Sequence, residues 1–406
     1  MDDEFTIYNY NILKYITRTI WILSIVSLFT DMASEMLYPI MPIYLKEIGF
    51  SIFLIGILEG FVEAFAGLSK GYFGKLSDIK GKRVPFVQLG YSLSAISKPL
   101  LALFVYPVWI FFARTIDRLG KGIRTSARDA LLSDEATVET KAKVFGFHRS
   151  MDTLGAVIGP LLALLYLYFY PKDYKTLFLI AFIPGVLAVF SSFLLKEKRN
   201  TEHNQKQTTN FFSFLNYWKE SHPNYRKLVI GLLAFALINS SDVFLLLKVK
   251  QSGLDDTLVI TLYIFYNLVY ALSAFPLGIL ADKMGLKKIF ISGLILFSVV
   301  YFGIAINNNL YLFFGLFFLY GLFAAATEGI SKAWISNISN KKETATAIGT
   351  YTSLQSICSL IASSLTGFIW WKFGAVVAFS FIGTGTVLVI IYVGLSTKLC
   401  SIIHSE

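Results

Sequence analysis

The chain has 406 residues, of which 55% are hydrophobic and only 15% are charged. Soluble proteins carry about a quarter charged residues, so this composition excludes an ordinary soluble domain. The net charge of +10 could indicate a nucleic-acid partner, but the basic residues lie in short connections between apolar runs, and we expect no nucleic acid. Apolar runs of about 20 residues, each enough to cross ~30 Å of hydrocarbon, recur from end to end and predict a helical membrane protein.

Twelve membrane-spanning helices are predicted in chain order. They cover residues 15–45, 52–76, 85–106, 108–132, 143–168, 175–195, 227–249, 257–280, 287–305, 310–335, 343–370 and 374–397. Residues 1–10 are acidic and the first apolar run is long, so no cleavable signal peptide is expected. Cys358 and Cys400 are the only cysteines, and two do not predict a disulfide framework or a cysteine metal site.

Basic residues concentrate in every second connection between these spans. They are Lys70, Lys75, Lys80, Lys82 and Arg83 after the second span, Lys141 and Lys143 after the fourth, Lys196, Lys198, Arg199, Lys206, Lys219, Arg226 and Lys227 after the sixth, and Lys283, Lys287, Lys288, Lys341 and Lys342 later. By the positive-inside rule, both termini are expected in the cytoplasm and the protein in the cytoplasmic (inner) membrane.

One polar stretch divides the chain. We expect residues 1–195 to form an N-terminal six-helix bundle, 196–226 a cytoplasmic linker, and 227–406 a C-terminal six-helix bundle. Within the linker, residues 211–218 are aromatic and predict a short interfacial helix.

The two halves repeat one short motif. Gly74 and Asp78 are followed by Gly81, Lys82 and Arg83. About 204 residues later, Gly278, Asp282, Lys283 and Gly285 follow the same spacing. This pattern resembles the signature of the major facilitator superfamily in the loop after the second helix. The resemblance implies an all-α membrane protein with 12 transmembrane helices, the MFS fold of two pseudo-symmetric six-helix bundles, and a substrate site between them near the midplane.

The same motif predicts a conformational latch. An aspartate that ends a helix can face a helix N-terminus or an arginine of the other bundle and close the inner side in one state. We assign this role to Gly74, Asp78, Gly81, Lys82, Arg83 and Asp282.

Glycines are spaced along the fifth span as Gly146, Gly155 and Gly159, followed by Pro160. Gly155 and Gly159 place two positions without side chains on one helix face, which allows another helix to approach closely. Pro160 removes a backbone donor and favours a kink. The spacing resembles the antiporter motif of the 12-helix drug:proton antiporter branch.

The fourth span carries charges at helical spacing. Arg114, Asp117, Arg118, Lys121, Arg124, Arg128 and Asp129 fall mainly three and four residues apart, on one face. This face cannot contact lipid, where each central charge costs at least ~2.5 kcal/mol. The candidate partners are Asp31, Glu35, Glu59, Glu63 and Asp152. Two interpretations stay open: a structural salt-bridge lattice, or direct participation in transport.

Proton-coupling candidates lie at the centre of this set. Asp31 and Glu35 are near the middle of the first span, one turn apart and before two prolines, and a carboxyl at that depth can exchange protons. The full set is Asp31, Glu35, Glu59, Glu63 and Arg114. The candidates for the substrate cavity are Arg118, Lys121, His148, Arg149, Asp152, Asn239, Asp242, Tyr266, Asn267 and Glu328.

The function predicted from these features is secondary active transport of a small organic molecule by alternating access, as proton-coupled efflux. The alternative is proton-coupled uptake of an anionic nutrient or metal chelate, because basic residues line the fourth span. A receptor or scaffold would show no substrate-dependent proton flux. With no Walker sequence and no His/Cys cluster, we expect no catalysis, cofactor or metal. The expected partners are the substrate, protons and the lipid bilayer, and we expect a monomer.

Overall fold

The computed structural model describes residues 16–50, 52–197, 210–254, 256–307 and 309–395, and this part of the chain is all-α. The helices of the first half are α1 (Arg18–Glu35), α2 (Met41–Glu47), α3 (Ile52–Lys80), α4 (Val84–Leu103), α5 (Pro107–Asp134), α6 (Lys141–Phe169) and α7 (Tyr174–Ser192). Those that follow are α8 (Tyr217–Glu220), α9 (Pro223–Ala236), α10 (Val243–Gln251), α11 (Asp256–Met284), α12 (Leu286–Ile306), α13 (Leu310–Ile338), α14 (Thr344–Phe373) and α15 (Ala375–Leu395).

Many of these helices suit a membrane by length and composition. The seven with enough apolar length to cross one, among the described residues, are α6, α7 and α11 to α15. The predicted fourth span, α5, is not among them because its charged face lowers its mean hydropathy. The charged helices must therefore be enclosed by the apolar ones.

The first and seventh predicted spans, 15–45 and 227–249, are each formed by two helices with a short non-helical segment between them. The first break lies between α1 and α2, where Pro39 and Pro42 disfavour continued helix. The second lies between α9 and α10, where Asn239 and two serines precede Asp242. Such short polar side chains compete with helical hydrogen bonds. Both breaks fall at corresponding points of the two halves.

Helix α3 is longer than predicted and changes the position of two lysines. The Ser77 hydroxyl donates to the carbonyl of Gly74, and the helix ends only where Gly81 adopts a φ of +59°. A glycine in this left-handed conformation is a common helix terminator. Lys70 and Lys75 therefore lie within α3, although they were counted with the basic connection that follows the second span.

Residues 211–218, expected as an interfacial helix, instead belong to a segment that packs into the protein. A 3-10 helix, Ser213–Asn216, leads into α8. Phe214 is fully buried, and the Thr350 hydroxyl donates to its carbonyl at 3.2 Å. The Lys75 ammonium donates to the carbonyl of Ser213 at 2.9 Å. The segment therefore packs against the ends of α3 and α14.

The two halves meet along two helix pairs. Helix α3 packs on α14, and α6 packs on α11, while the remaining extensive contacts, such as α1 with α6 and α12 with α13, lie within one half. This arrangement leaves a space between the halves that α1, α5 and α13 also border.

The glycines of α6 serve two different neighbours. A Cβ on Gly159 would lie 2.5 Å from the carbonyl oxygen of Met32, and one on Gly155 would overlap the carbonyl of Leu28, so both face α1. Gly146 faces α11 instead, against the carbonyl of Ala274. Pro160 is buried within the helix, directly after Gly159. The spaced glycines thus allow α6 to pack closely against α1 of its own half and against α11 of the other half.

We expect Gly155→Leu or Gly159→Leu to lower the thermal stability of the detergent-solubilised protein by several degrees. A leucine there must displace the α1 backbone, and overpacking of this kind costs about 1–3 kcal/mol or more. The measurement is the midpoint of thermal unfolding. Gly315→Leu is the matched control, because a Cβ at Gly315 meets nothing within 4 Å. Equal midpoints for all three variants would contradict the packing argument.

Candidate functional site

A polar cavity lies between the two halves. An inner chamber of about 350 Å³ borders α1, α5, α6, α11 and α13. An outer chamber of about 660 Å³ extends to Tyr38, between α1 and α2, and to Ser363 of α14. Glu35, Lys121, Asp242 and Glu328 line both chambers, so the two chambers are adjacent. This size suits a small-molecule site.

Asp31 and Glu35 project from α1 into this cavity. Both line the inner chamber, and Glu35 also lines the outer one. Among the described residues, neither carboxylate has a cationic nitrogen within 4.0 Å. Glu35 accepts a hydrogen bond from the Tyr263 hydroxyl of α11 at 3.4 Å. These two acids are thus accessible and lack a salt bridge in this conformation.

The outer half of the α5 charged face is largely paired. Asp117 binds the Lys98 ammonium at 2.8 Å and lies 3.9 Å from the Arg114 guanidinium. Arg118 pairs with Glu63 of α3 at 3.4 Å. Glu59 lies on α3, but its side chain is outside the described part of the structure. For Asp117 and Arg118, these ion pairs agree with the interpretation of a structural salt-bridge lattice.

Arg124 has a different environment. Its guanidinium donates to the Ser94 hydroxyl at 2.6 Å and lies over the ring of Tyr91, 4.6 Å from the centroid. Lys121, about one helical turn before Arg124, lines both chambers. No carboxylate of a described residue lies within 4.0 Å of the Lys121 ammonium. Lys121 is therefore a cation presented to the cavity.

Five ion pairs link six charged side chains in a series that borders the inner chamber and begins and ends on α13. In order they are Lys332, Asp129, Arg128, Asp152, Arg149 and Glu328, and we call them the ionic ring. Two of its pairs join the halves: Lys332 with Asp129 at 2.7 Å, and Arg149 with Glu328 at 3.2 Å. Arg149 pairs with Asp152 at 2.6 Å. The ring therefore holds α13 against α5 and α6.

His148 is next to this ring in sequence but does not line the cavity. It is only 3% exposed, and it is absent from the walls of both chambers. Its Nε2 has no hydrogen-bond partner among the described residues. The expectation that it contacts substrate has no support from its position.

Asp242 occupies the break between α9 and α10. Its two carboxylate oxygens accept hydrogen bonds from the hydroxyls of Tyr266 and Tyr320, each at 2.6 Å. Asn239, in the same break, lines both chambers with a buried Oδ1 that has no partner among the described residues. Asn267 lines the inner chamber and donates to the carbonyl of Tyr263 on its own helix at 3.0 Å. The helix break brings polar groups to the cavity wall.

The two motif aspartates bind helix N-termini of the opposite half. Asp78 accepts from the Thr346 backbone N–H at 2.6 Å and from its hydroxyl at 2.8 Å, at the start of α14. Asp282 accepts from the backbone N–H groups of Ala142 and Lys143 at 3.0 and 2.8 Å, at the start of α6. An anion at a helix N-terminus meets unpaired N–H donors and a favourable dipole. The two contacts are related by the internal repeat.

Arg83 extends the first of these contacts. Its guanidinium binds Asp78 at 3.3 Å and Asp134 at 2.6 Å, and donates to the Lys341 carbonyl at 3.3 Å. It thus links α3, α5 and the turn before α14. Lys82 is exposed and Gly81 forms the turn between α3 and α4.

Four glycines allow close backbone contact at these interfaces. A Cβ on Gly74 would lie 2.5 Å from the carbonyl of Ala345, and one on Gly278 would lie 2.5 Å from that of Ala142. Gly349 faces the carbonyl of Lys70 at 2.6 Å, and Gly146 again faces Ala274. Helices joined this way can separate without disturbing interlocked side chains.

Sequence reasoning missed several residues here. Lys70 lines both chambers, and its position seven residues after Glu63 would place both on one face of a longer α3. Thr346 and Ser353 are uncharged and stand in no recognisable motif. Thr346 nevertheless binds Asp78, and Ser353 accepts from the Gly71 N–H at 2.9 Å and donates to the Gly67 carbonyl at 2.6 Å. Only the fold reveals such contacts.

Comparison with known proteins places this architecture in a family. The model of the major facilitator superfamily matches residues 23–265 and 228–398. A protein of Methanocaldococcus jannaschii, described as an uncharacterized MFS-type transporter, is 33% identical over 363 residues, which is 88% of this chain and 89% of that one. The quinolone resistance protein NorA of Staphylococcus aureus is 25% identical over 228 residues, 55% of this chain and 57% of its own.

The fold comparison agrees with the sequence comparison. The crystal structure of the human organic anion transporter MFSD10 superposes with a TM-score of 0.77 at 16% identity, covering 93% of this chain and 99% of that one. An all-helical chain with these matches and a polar cavity between its halves is a multi-pass membrane transporter that belongs to the major facilitator superfamily.

Proposed function

We propose that the protein exports a small organic molecule across the cytoplasmic membrane in exchange for protons. The observation that carries this proposal is that Asp31 and Glu35 line the cavity without a salt bridge to any described residue. A buried carboxylate without a counter-charge is costly to keep ionised, so proton binding and release there respond to what occupies the cavity. The similarity to a quinolone resistance protein supports export over uptake.

Alternating access would use the contacts that close one end of the cavity. We call the Asp78 and Asp282 contacts, with their four glycines, the latch. The latch and the ionic ring close one end, while the outer chamber extends towards the other. If the closed end is cytoplasmic, as the positive-inside rule indicates, this conformation faces outward. The segments 1–195 and 227–406 would then rock as two bodies about the cavity.

A second function, proton-coupled uptake of an anionic nutrient or metal chelate, is favoured by one observation. Lys70 and Lys121 both line the cavity and have no described carboxylate within 4.0 Å. The direction of coupled flux separates the two. In export by antiport, the substrate and the proton move in opposite directions. In uptake by symport, they move in the same direction.

We expect Asp78→Asn to favour opening of the latch. Loss of the negative charge weakens the contacts with Arg83 and with the N-terminus of α14, each worth about 0.3–2 kcal/mol. The probe is Ser353→Cys, a site 1% exposed between α3 and α14, in a chain carrying Cys358→Ala and Cys400→Ala. Its alkylation by N-ethylmaleimide should become several-fold faster, and Asp282→Asn should act in the same direction.

Glu220→Gln is the control for this prediction, because it removes an exposed carboxylate near the same end of the protein. Alkylation rates that are equal in the Asp78→Asn, Glu220→Gln and parent proteins would exclude a role for Asp78 in closing this end.

We expect Asp31→Asn or Glu35→Gln to abolish transport driven by a pH gradient while preserving exchange of preloaded substrate at zero gradient. The neutral side chains retain the shape of the cavity but cannot carry the proton. The measurement is flux in proteoliposomes with and without an imposed pH gradient, and Glu220→Gln again serves as control. Should both variants still concentrate substrate under a gradient, the coupling site lies elsewhere, and Glu59, Glu63 and Asp152 become the candidates.

A further inference from the structure

Beside the α1 acids assigned to proton coupling, the cavity carries two lysines on one wall and an aspartate on the other that form no ion pair within 4.0 Å with a described residue. Lys70 of α3 and Lys121 of α5 line both chambers from the first half, and no described carboxylate lies within 4.0 Å of either ammonium. Asp242 lines both chambers from the second half, and no described cationic side chain lies within 4.0 Å of it. Charges left without partners in a membrane protein are costly and mark ligand sites.

The acidic wall has the features of a cation site. The hydroxyls of Tyr266 and Tyr320 fix the Asp242 carboxylate at 2.6 Å each and leave its remaining lone pairs available. The rings of these tyrosines lie 5.4 Å apart, and Tyr263 packs on Tyr266 at 5.5 Å. Tyrosine faces attract ammonium groups, and substituted ammonium ions favour aromatic surroundings. This wall therefore suits an ammonium group, including one without N–H donors.

The basic wall suits an oxyanion. Lysine ammonium groups act as mobile point charges that bind phosphate or carboxylate oxygens. The nearby lining groups are polar and neutral: Asn239 and Gln355 border the same chambers as Lys70 and Lys121. The other acids that share this cavity have their own contacts or proposed roles: Glu63 pairs with Arg118, Asp152 and Glu328 pair with Arg149, and Asp31 and Glu35 are the proposed proton carriers.

We propose that the substrate is a zwitterion, with an ammonium group held at Asp242 and its tyrosines and a phosphate or carboxylate group held by Lys70 and Lys121. This inference rests on the proposed transport function and names the substrate class of its site. A simple anion or cation would neutralise one wall and leave the other charge uncompensated in a low-dielectric space. An inner chamber of about 350 Å³ has room for a small molecule that reaches both walls.

The test measures binding to the purified protein without any proton gradient, so its outcome is separate from that of the flux experiments. The probes are phosphocholine, choline and inorganic phosphate, with glycine betaine, choline and acetate as the carboxylate series. Calorimetry at fixed pH and ionic strength gives each Kd. We expect at least one zwitterion to bind tenfold or more tightly than either of its single-charge parts, and the tighter series identifies phosphate or carboxylate as the preferred anion.

Variants assign the two ends. Asp242→Asn should reduce the affinity for the zwitterion to the level of the anion alone, whereas Lys70→Gln with Lys121→Gln should reduce it to the level of choline. Lys175→Gln, an exposed lysine outside the cavity, is the matched control and should change nothing. The proposal is overturned if neither zwitterion exceeds its parts, or if the advantage survives both cavity variants. Intact proton-coupled flux alongside that result would leave the transport proposal standing.

Discussion

The cost of exposing charge to hydrocarbon governs this structure. Helix α5 carries charges along one face, and these groups are stable only when they are turned away from lipid. The apolar helices that surround it supply the lipid-facing surface, while Lys98 and Glu63 supply ion-pair partners. The cavity is thus a consequence of enclosing α5: where pairing is incomplete, charged groups face a polar space between the halves.

The two interfaces that border this space, α3 with α14 and α6 with α11, have features that suit the proposed latch. Glycines at Gly74, Gly278, Gly146 and Gly349 bring backbones together with little interlocking of side chains. The directional bonds are concentrated in Asp78 and Asp282, each of which binds the first turn of a helix from the opposite half. A few polar contacts of this kind can form and break at moderate cost, as a conformational cycle requires.

The two halves differ in chemistry although they share a topology. The first half contributes lysines, arginines and the α1 acids, whereas the second contributes Asp242 within a group of tyrosines, together with Glu328 and Lys332, which pair with residues of the first half. Asp242 lies in the break between α9 and α10 and lines the cavity. Glu35, which also lines the cavity, is the last residue of α1, directly before the corresponding break in the first half. Interrupted helices in corresponding positions of two repeats are a recurrent feature of substrate sites in transporters. This asymmetry underlies both the proton-coupling and the zwitterion proposals.

The sequence alone determined the class of the protein, because hydrophobic length and charge placement are local properties of the chain. It also located the repeated motif and the charged face of α5, since both depend on spacing along one helix. It could not determine which charges pair. Arg118 contacts Glu63 and Lys332 contacts Asp129 because separate helices pack in one particular register. The ionic ring, the capping of α14 by Asp78 and the exposure of Lys70 to the cavity were likewise decided by tertiary structure, because each joins residues that are distant in the chain and close only after the two halves meet.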